Sequence, residues 1–194
     1  MAINFPNSPT NGQTYTVNSS TYTYVSAASS WRVLSSITTS NVYATTIQTQ
    51  TGAGTIYGTW TLASGATFQA TYADLAERYS SDILYDPGTV VVFKGNAEVT
   101  LSLQANDRTV AGVVSTNPAY LLNVDIEGVD VALQGRVPCK VVGPIQKGDM
   151  MVTSNMPGVA MANNDPKMGT VIGKALEDYA STEVGTIEVA VGRL

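Results

Sequence analysis

The sequence predicts an all-β protein: a small N-terminal β module, a Thr-rich intertwined β shaft, and a C-terminal β-barrel or sandwich head with a duplicated unit. Three observations lead there. Short apolar runs bounded by Gly, Pro, Asn and Asp recur along the chain, no helical apolar stripe appears, and a motif in the second half returns about 60 residues later. A hydrophobic content of 44% is enough for a globular core. Charge then divides the chain. Residues 1–73 carry one formal charge, Arg32, while the other 24 of 25 charged residues lie in 74–194. Such a shift marks a boundary, here inside YADLAERYSSD at 72–82. The expected regions are 1–36, 37–73 and 74–194.

Residues 1–36 read as a β module with an extended leader. Phe5-Pro6-Asn7-Ser8-Pro9-Thr10-Asn11-Gly12 holds two prolines and an Asn-Gly pair, which disfavour a regular element. Tyr15 and Val17, then Tyr22 and Tyr24, alternate with Thr around an Asn-Ser-Ser turn, and Trp31 and Val33 follow a small-residue loop. That is a hairpin pattern. Phe5, Tyr15 and Trp31 are the candidate anchoring residues, because aromatic rings supply large contact area in a module with almost no charge.

Residues 38–73 are free of charge, with Gly at 52, 54, 58 and 65. Thr and aromatics favour strands, yet only 9 of these 36 residues are large and apolar. A single chain gains little from burying so few, so the stretch gains most by pairing with other chains. Three copies wound together would share ladders and close open edges, which makes a homotrimer the expected assembly. A flexible linker is the alternative, opposed by Ile56, Trp60, Leu62 and Phe68.

Residues 86–194 hold nine apolar runs: Thr89–Phe93, Val99–Leu103, Val110–Ser115, Val129–Leu133, Val137–Val142, Met150–Thr153, Val159–Ala162, Val171–Leu176 and Ile187–Val191. Short strands with turn residues between them predict a barrel or sandwich. Gly88, Val99 and Leu101 match Gly148, Val159 and Met161 at 60 residues, and Val110-Ala111-Gly112 matches Val171-Ile172-Gly173 at 61. Gly112 and Gly173 are expected at bulges or close backbone approaches.

Composition closes off whole classes of chemistry. With no His and a single Cys, histidine triads and dyads and His- or Cys-rich zinc sites are excluded. A net charge of −5 without a basic run argues against nucleic acid. No apolar run approaches the roughly 20 residues of a membrane span, so no membrane insertion is expected. No signal peptide is expected from MAINFPNSPT either. A lone Cys139 fits assembly in a reducing cytosol and, inside VPCKVV, reads as a core residue. Asp125, Glu127 and Asp130 could offer oxygens to Ca²⁺, but their spacing is not that of an EF-hand and they read as exposed loop acids. Asp74, Glu77, Asp82 and Asp86 could hold a glycosidase carboxylate pair, but read as a solvated junction. TGAGT at 51–55 lacks the Lys-Ser/Thr of a phosphate loop. Met150, Met151, Met156, Met161 and Met168 read as core or loop filler. No catalytic, metal or cofactor site is expected.

The phrases ADLAERYSSDILYDPGTVVVFKG, VAGVVSTNPAYLLN, ALQGRVPCKVVGPIQKGDMMVTSNMPGVAMA, GTVIGKALED and GTIEVAVGR, in that order over 74–194, resemble the C-terminal domain of tail-fibre proteins of tailed phages, especially phages of cyanobacteria. The leader FPNSPTNGQTYT and its Tyr/Trp hairpin resemble a short module at the ends of virion structural proteins in such phages. The resemblance implies a non-enzymatic homotrimeric fibre on the tail baseplate. It would be made in the host cytoplasm, bound to other tail proteins, with its far end toward the host and a surface glycan as a candidate contact. A capsid decoration protein and a polysaccharide depolymerase are the alternatives.

Overall fold

A computed structural model of the chain describes residues 4–17, 20–33, 61–67 and 69–192. The described residues are all-β, with thirteen strands, one short 3-10 turn and no helix long and apolar enough to cross a membrane. They form two compact units, divided between Thr61 and Leu62. Most of the expected shaft, including 34–60, lies outside the described residues. Its described end, 61–67 and 69–73, has no strand and is exposed throughout.

The first unit is a three-stranded antiparallel sheet of β1 (Thr14–Val17), β2 (Ser20–Val25) and β3 (Ser30–Val33). Period-two alternation sorts its faces: Tyr15 opposes Tyr22 and Tyr24 opposes Trp31, while the Thr16 and Thr21 hydroxyls bond at 2.9 Å on the other face. The leader is tied to β2, since Gly12 N–H donates to Tyr24 O and Tyr24 N–H donates to Gln13 O, both at 2.9 Å.

The second unit holds β4 (Asp74–Tyr79), β5 (Val90–Val92), β6 (Thr100–Leu101), β7 (Val110–Val114), β8 (Tyr120–Leu122), β9 (Val129–Val141), β10 (Met150–Thr153), β11 (Ala160–Ala162), β12 (Val171–Ala175) and β13 (Gly185–Val191). Each of the nine expected runs contributes to a strand. Two of them, Val129–Leu133 and Val137–Val142, are halves of the thirteen-residue β9. The region around Asp74 is not a solvated junction: β4 starts there, with Asp74 and Ala76 buried.

Pairing closes two rings. β4 pairs with β9, β9 with β7, β7 with β5 and β5 with β6, and a parallel bridge from Ser81 to Val99 brings the chain after β4 back beside β6. In the second ring β9 pairs with β13, β13 with β12, β12 with β10 and β10 with β11, and Ala160 of β11 returns in parallel to Val141 of β9. The fold is therefore two small five-stranded barrels that share β9, with β8 added on the free side of β4.

The duplication is visible bond by bond. Gly88 N–H donates to Val114 O and Val114 N–H to Thr89 O; likewise Gly148 N–H donates to Ala175 O and Ala175 N–H to Asp149 O. Register breaks between Val91 and Val92 against β7, and between Met151 and Val152 against β12. One expected equivalence slips by a residue. Val91 faces Leu101 and Met151 faces Ala162, so Leu101 corresponds to Ala162, not to Met161. Gly112 and Gly173 sit opposite these bulges at close approaches: a Cβ on Gly112 would lie 2.7 Å from Ala132 O, and one on Gly173 would overlap Ala190 O.

Each barrel has its own core. Val91, Ala111, Val114 and Val131 fill the first; their counterparts Met151, Ile172, Ala175 and Val189 fill the second. Val90, Val113 and Ala132 alternate with first-barrel core residues but join the second cluster, so this outer face of the first barrel packs against the second. Their counterparts Met150 and Ala190 are only half-buried, and Lys174 is exposed. A charged residue thus occupies the position on the second barrel that corresponds to the packed Val113 of the first.

Candidate functional site

In the N-terminal sheet, the structure brings all three candidate anchoring residues together. Phe5 stacks on Trp31 with centroids 5.1 Å apart and planes 10° from parallel, and meets Tyr15 edge-on at 5.7 Å. Tyr15 also meets Trp31 edge-on at 6.1 Å. Two further rings, Tyr22 and Tyr24, which alternation predicts only as strand residues, join the cluster. Tyr22 lies 5.0 Å from Phe5 and Tyr24 lies 5.5 Å from Trp31. The signal was there in the alternation, since Tyr15, Tyr22 and Tyr24 must share a face if the hairpin register holds. These five rings are half-buried, so the cluster is the hydrophobic centre of the module and also its main apolar surface.

In the barrels, the acids singled out from sequence fall in different places. Asp130 is not a loop acid: it lies on β9 opposite Arg78 of β4, whose Nε and Nη2 donate to its two oxygens at 2.7 and 3.2 Å. Arg78 Nη1 also donates to Val124 O at 3.1 Å, which pins the loop carrying exposed Asp125 and Glu127. Glu77 accepts from Tyr79 O–H at 2.6 Å. Asp82 accepts from Tyr85 O–H at 2.6 Å and from Thr100 O–H at 2.9 Å. These donors, Tyr85 first, hold its carboxyl below the usual range; burial and the nearby Asp82 push the Tyr85 phenol up. Asp86 is exposed, 4.0 Å from Lys140 Nζ. Asp82 and Glu127 line one groove with Arg78, Ile83 and Leu84, while Asp74 lines another. Among the described residues, no group of three or more His, Cys, Asp or Glu side chains is placed to hold a metal ion.

Sequence reasoning missed Asp107, the most fully engaged carboxylate. It is 6% exposed, accepts from Lys94 Nζ at 2.6 Å and from both Thr109 N–H and O–H at 3.0 and 2.8 Å. Burial pulls its pKa upward, but the ammonium and the two Thr109 donors outweigh it and leave the carboxyl below its ordinary value. A lowered folded-state pKa gives stability that is full above the unfolded carboxylate range and is lost as pH falls through the folded value. Asp107→Asn is therefore expected to melt below the parent protein at pH 7. The gap should shrink as the pH is lowered beneath about 4. Thermal melts from pH 7 to pH 2 check this, and a gap constant across that range would refute it.

Cys139 lies in the second-barrel core with no exposure, and burial pushes its thiol up to about 12. It is a packing residue without thiolate character at neutral pH. Met151 is core, whereas Met156 and Met168 are exposed on loops. TGAGT at 51–55 lies outside the described residues. No protein-family model matches the chain, and no curated protein matches it.

Proposed function

We propose that the chain is a non-enzymatic structural component of a phage virion: a short homotrimeric tail fibre, attached to the tail or baseplate through the aromatic face of its N-terminal sheet. The carrying observation is a division of labour along one chain. A compact β unit with an aromatic cluster and a separately compact barrel unit are joined through a stretch that carries no charge and, where described, no strand. An exposed single-chain stretch holding Leu62 and Tyr72 favours a role for neighbouring copies in covering it. The phage-fibre phrases over 74–194 supply the biological setting.

Light scattering on the purified full chain is the direct test. The expected mass is three times the 20.4 kDa of one chain. A species at 20.4 kDa across the micromolar range removes the trimer and with it the shaft. Immuno-gold labelling of intact particles then separates a tail position from a capsid one.

A further inference from the structure

The leader carries the one Asn-Gly pair in the sequence, Asn11-Gly12. Asparagine before glycine is the pair most prone to deamidation, because glycine has no Cβ to shield its nitrogen or restrict its backbone. In that reaction the Gly12 nitrogen gives its proton to solvent and attacks Asn11 Cγ. The new C–N bond closes a five-membered imide, the Cγ–Nδ2 bond breaks, and ammonia leaves. Water then opens the imide at one carbonyl or the other, giving aspartate or isoaspartate. The reaction needs a Gly12 nitrogen free to lose its proton and an Asn11 side chain free to swing onto it.

Both residues are exposed to water, yet neither group is free. Gly12 N–H donates to Tyr24 O at 2.9 Å, and Asn11 Oδ1 accepts from Ser26 N–H at 3.0 Å. The flanking residues are tied as well. Gln13 N–H closes a turn onto Thr10 O at 3.0 Å, Thr10 N–H donates to Gln13 Oε1 at 3.0 Å, and Tyr24 N–H donates to Gln13 O at 2.9 Å. The bond to Tyr24 keeps the proton on the Gly12 nitrogen, and the bond from Ser26 holds the Asn11 carboxamide at the end of β2.

We propose that Asn11 is a deamidation site gated by the N-terminal sheet, intact while β2 holds the leader and converted when the leader lifts away. A sheet of three short strands has little to resist such local opening. Isoaspartate carries the main chain through Cβ and Cγ, one methylene longer, inside the turn that joins Thr10 to Gln13. The turn and the Ser26 contact are then lost together, and a second formal charge enters a module that holds only Arg32. A reversible opening thereby becomes permanent. The inference rests on the sheet alone and stands apart from the fibre reading.

Incubation of the purified full chain at pH 8 and 37 °C tests it, with the parent, Trp31→Ala, and the parent in unfolding guanidinium chloride side by side. Trypsin then releases residues 1–32 as one peptide, since Arg32 is the first Lys or Arg. Mass spectrometry of that peptide measures amide-to-carboxylate exchange at Asn11, and methyl transfer by isoaspartyl methyltransferase measures the isoaspartate. Conversion in denaturant is expected to run at least about tenfold faster than in the folded parent, with Trp31→Ala close to the denatured rate. A folded parent that converts as fast as the denatured chain overturns the gate. No conversion at Asn11 in denaturant overturns the site, and both readings hold even where Trp31→Ala stays folded. Isolated isoaspartyl protein is expected to show residues 5–33 at random-coil positions by NMR; native dispersion there overturns the permanence of the opening.

Discussion

Gly173→Ala is expected to destroy the second barrel, with a loss on the order of 4 kcal/mol or more, at the extreme of single-substitution effects. Gly173 lies mid-strand in β12, paired with Met151 on one side and Val191 on the other. A Cβ there would overlap Ala190 O and sit 2.8 Å from Ala190 C and 2.9 Å from Val191 Cα. All three are backbone atoms of β13, so no side-chain rotation relieves the clash, and moving β13 breaks its pairing with β9. Gly192→Ala is the matched control, because its Cβ would meet nothing closer than Gln134 at 3.7 Å. Circular-dichroism melts of both variants decide the matter. A Gly173→Ala protein melting within about 4 °C of the parent would show the strands can part cheaply.

Trp31→Ala is expected to unfold the N-terminal sheet while leaving the barrels intact. Removing a large aromatic side chain from a packed site costs about 3–5 kcal/mol. Here the indole contacts Phe5, Tyr15 and Tyr24, so one truncation takes away the shared partner of three rings. A three-stranded sheet this small has little other core to fall back on. Resonances of residues 5–33 should collapse to random-coil positions, while those of 74–192 keep their dispersion. If the fibre reading holds, the variant should also be missing from purified particles. An intact sheet in Trp31→Ala would mean that its stability resides outside the ring cluster.

What sequence pattern could and could not deliver has physical reasons. Val91, Val131, Ile187 and Val189 were legible as core because their runs are apolar at every position or at every second one. β4 is not, because Asp-Leu-Ala-Glu-Arg-Tyr holds three charges in six residues without strict alternation, and its Arg78 pairs with Asp130, 52 residues away. β9 was divided in two because Gln134-Gly135-Arg136 imitates a turn. In the structure Gly135 holds a φ of 119° and a Cβ there would overlap Ala73 O, so the glycine admits a neighbouring strand instead of reversing the chain. Matching side-chain types pairs Leu101 with Met161, whereas the ladder pairs it with Ala162. For the sites, rings gathered by alternation could be foreseen in part. The bonds that hold Gly12 to Tyr24 and Asn11 to Ser26 could not, since a partner is a property of three-dimensional surroundings.

The strand common to both rings also limits how this head can change over generations. A cut at Gly135 would leave β4 and β7 with residues 129–135 and β13 with 135–141, but it would part Val90, Val113 and Ala132 from Val137, Cys139 and Val141, with which they share one core cluster. Either product bares apolar surface that the whole head buries. Recombination can therefore shuffle the head only as a whole, even though its pairing pattern repeats as two halves.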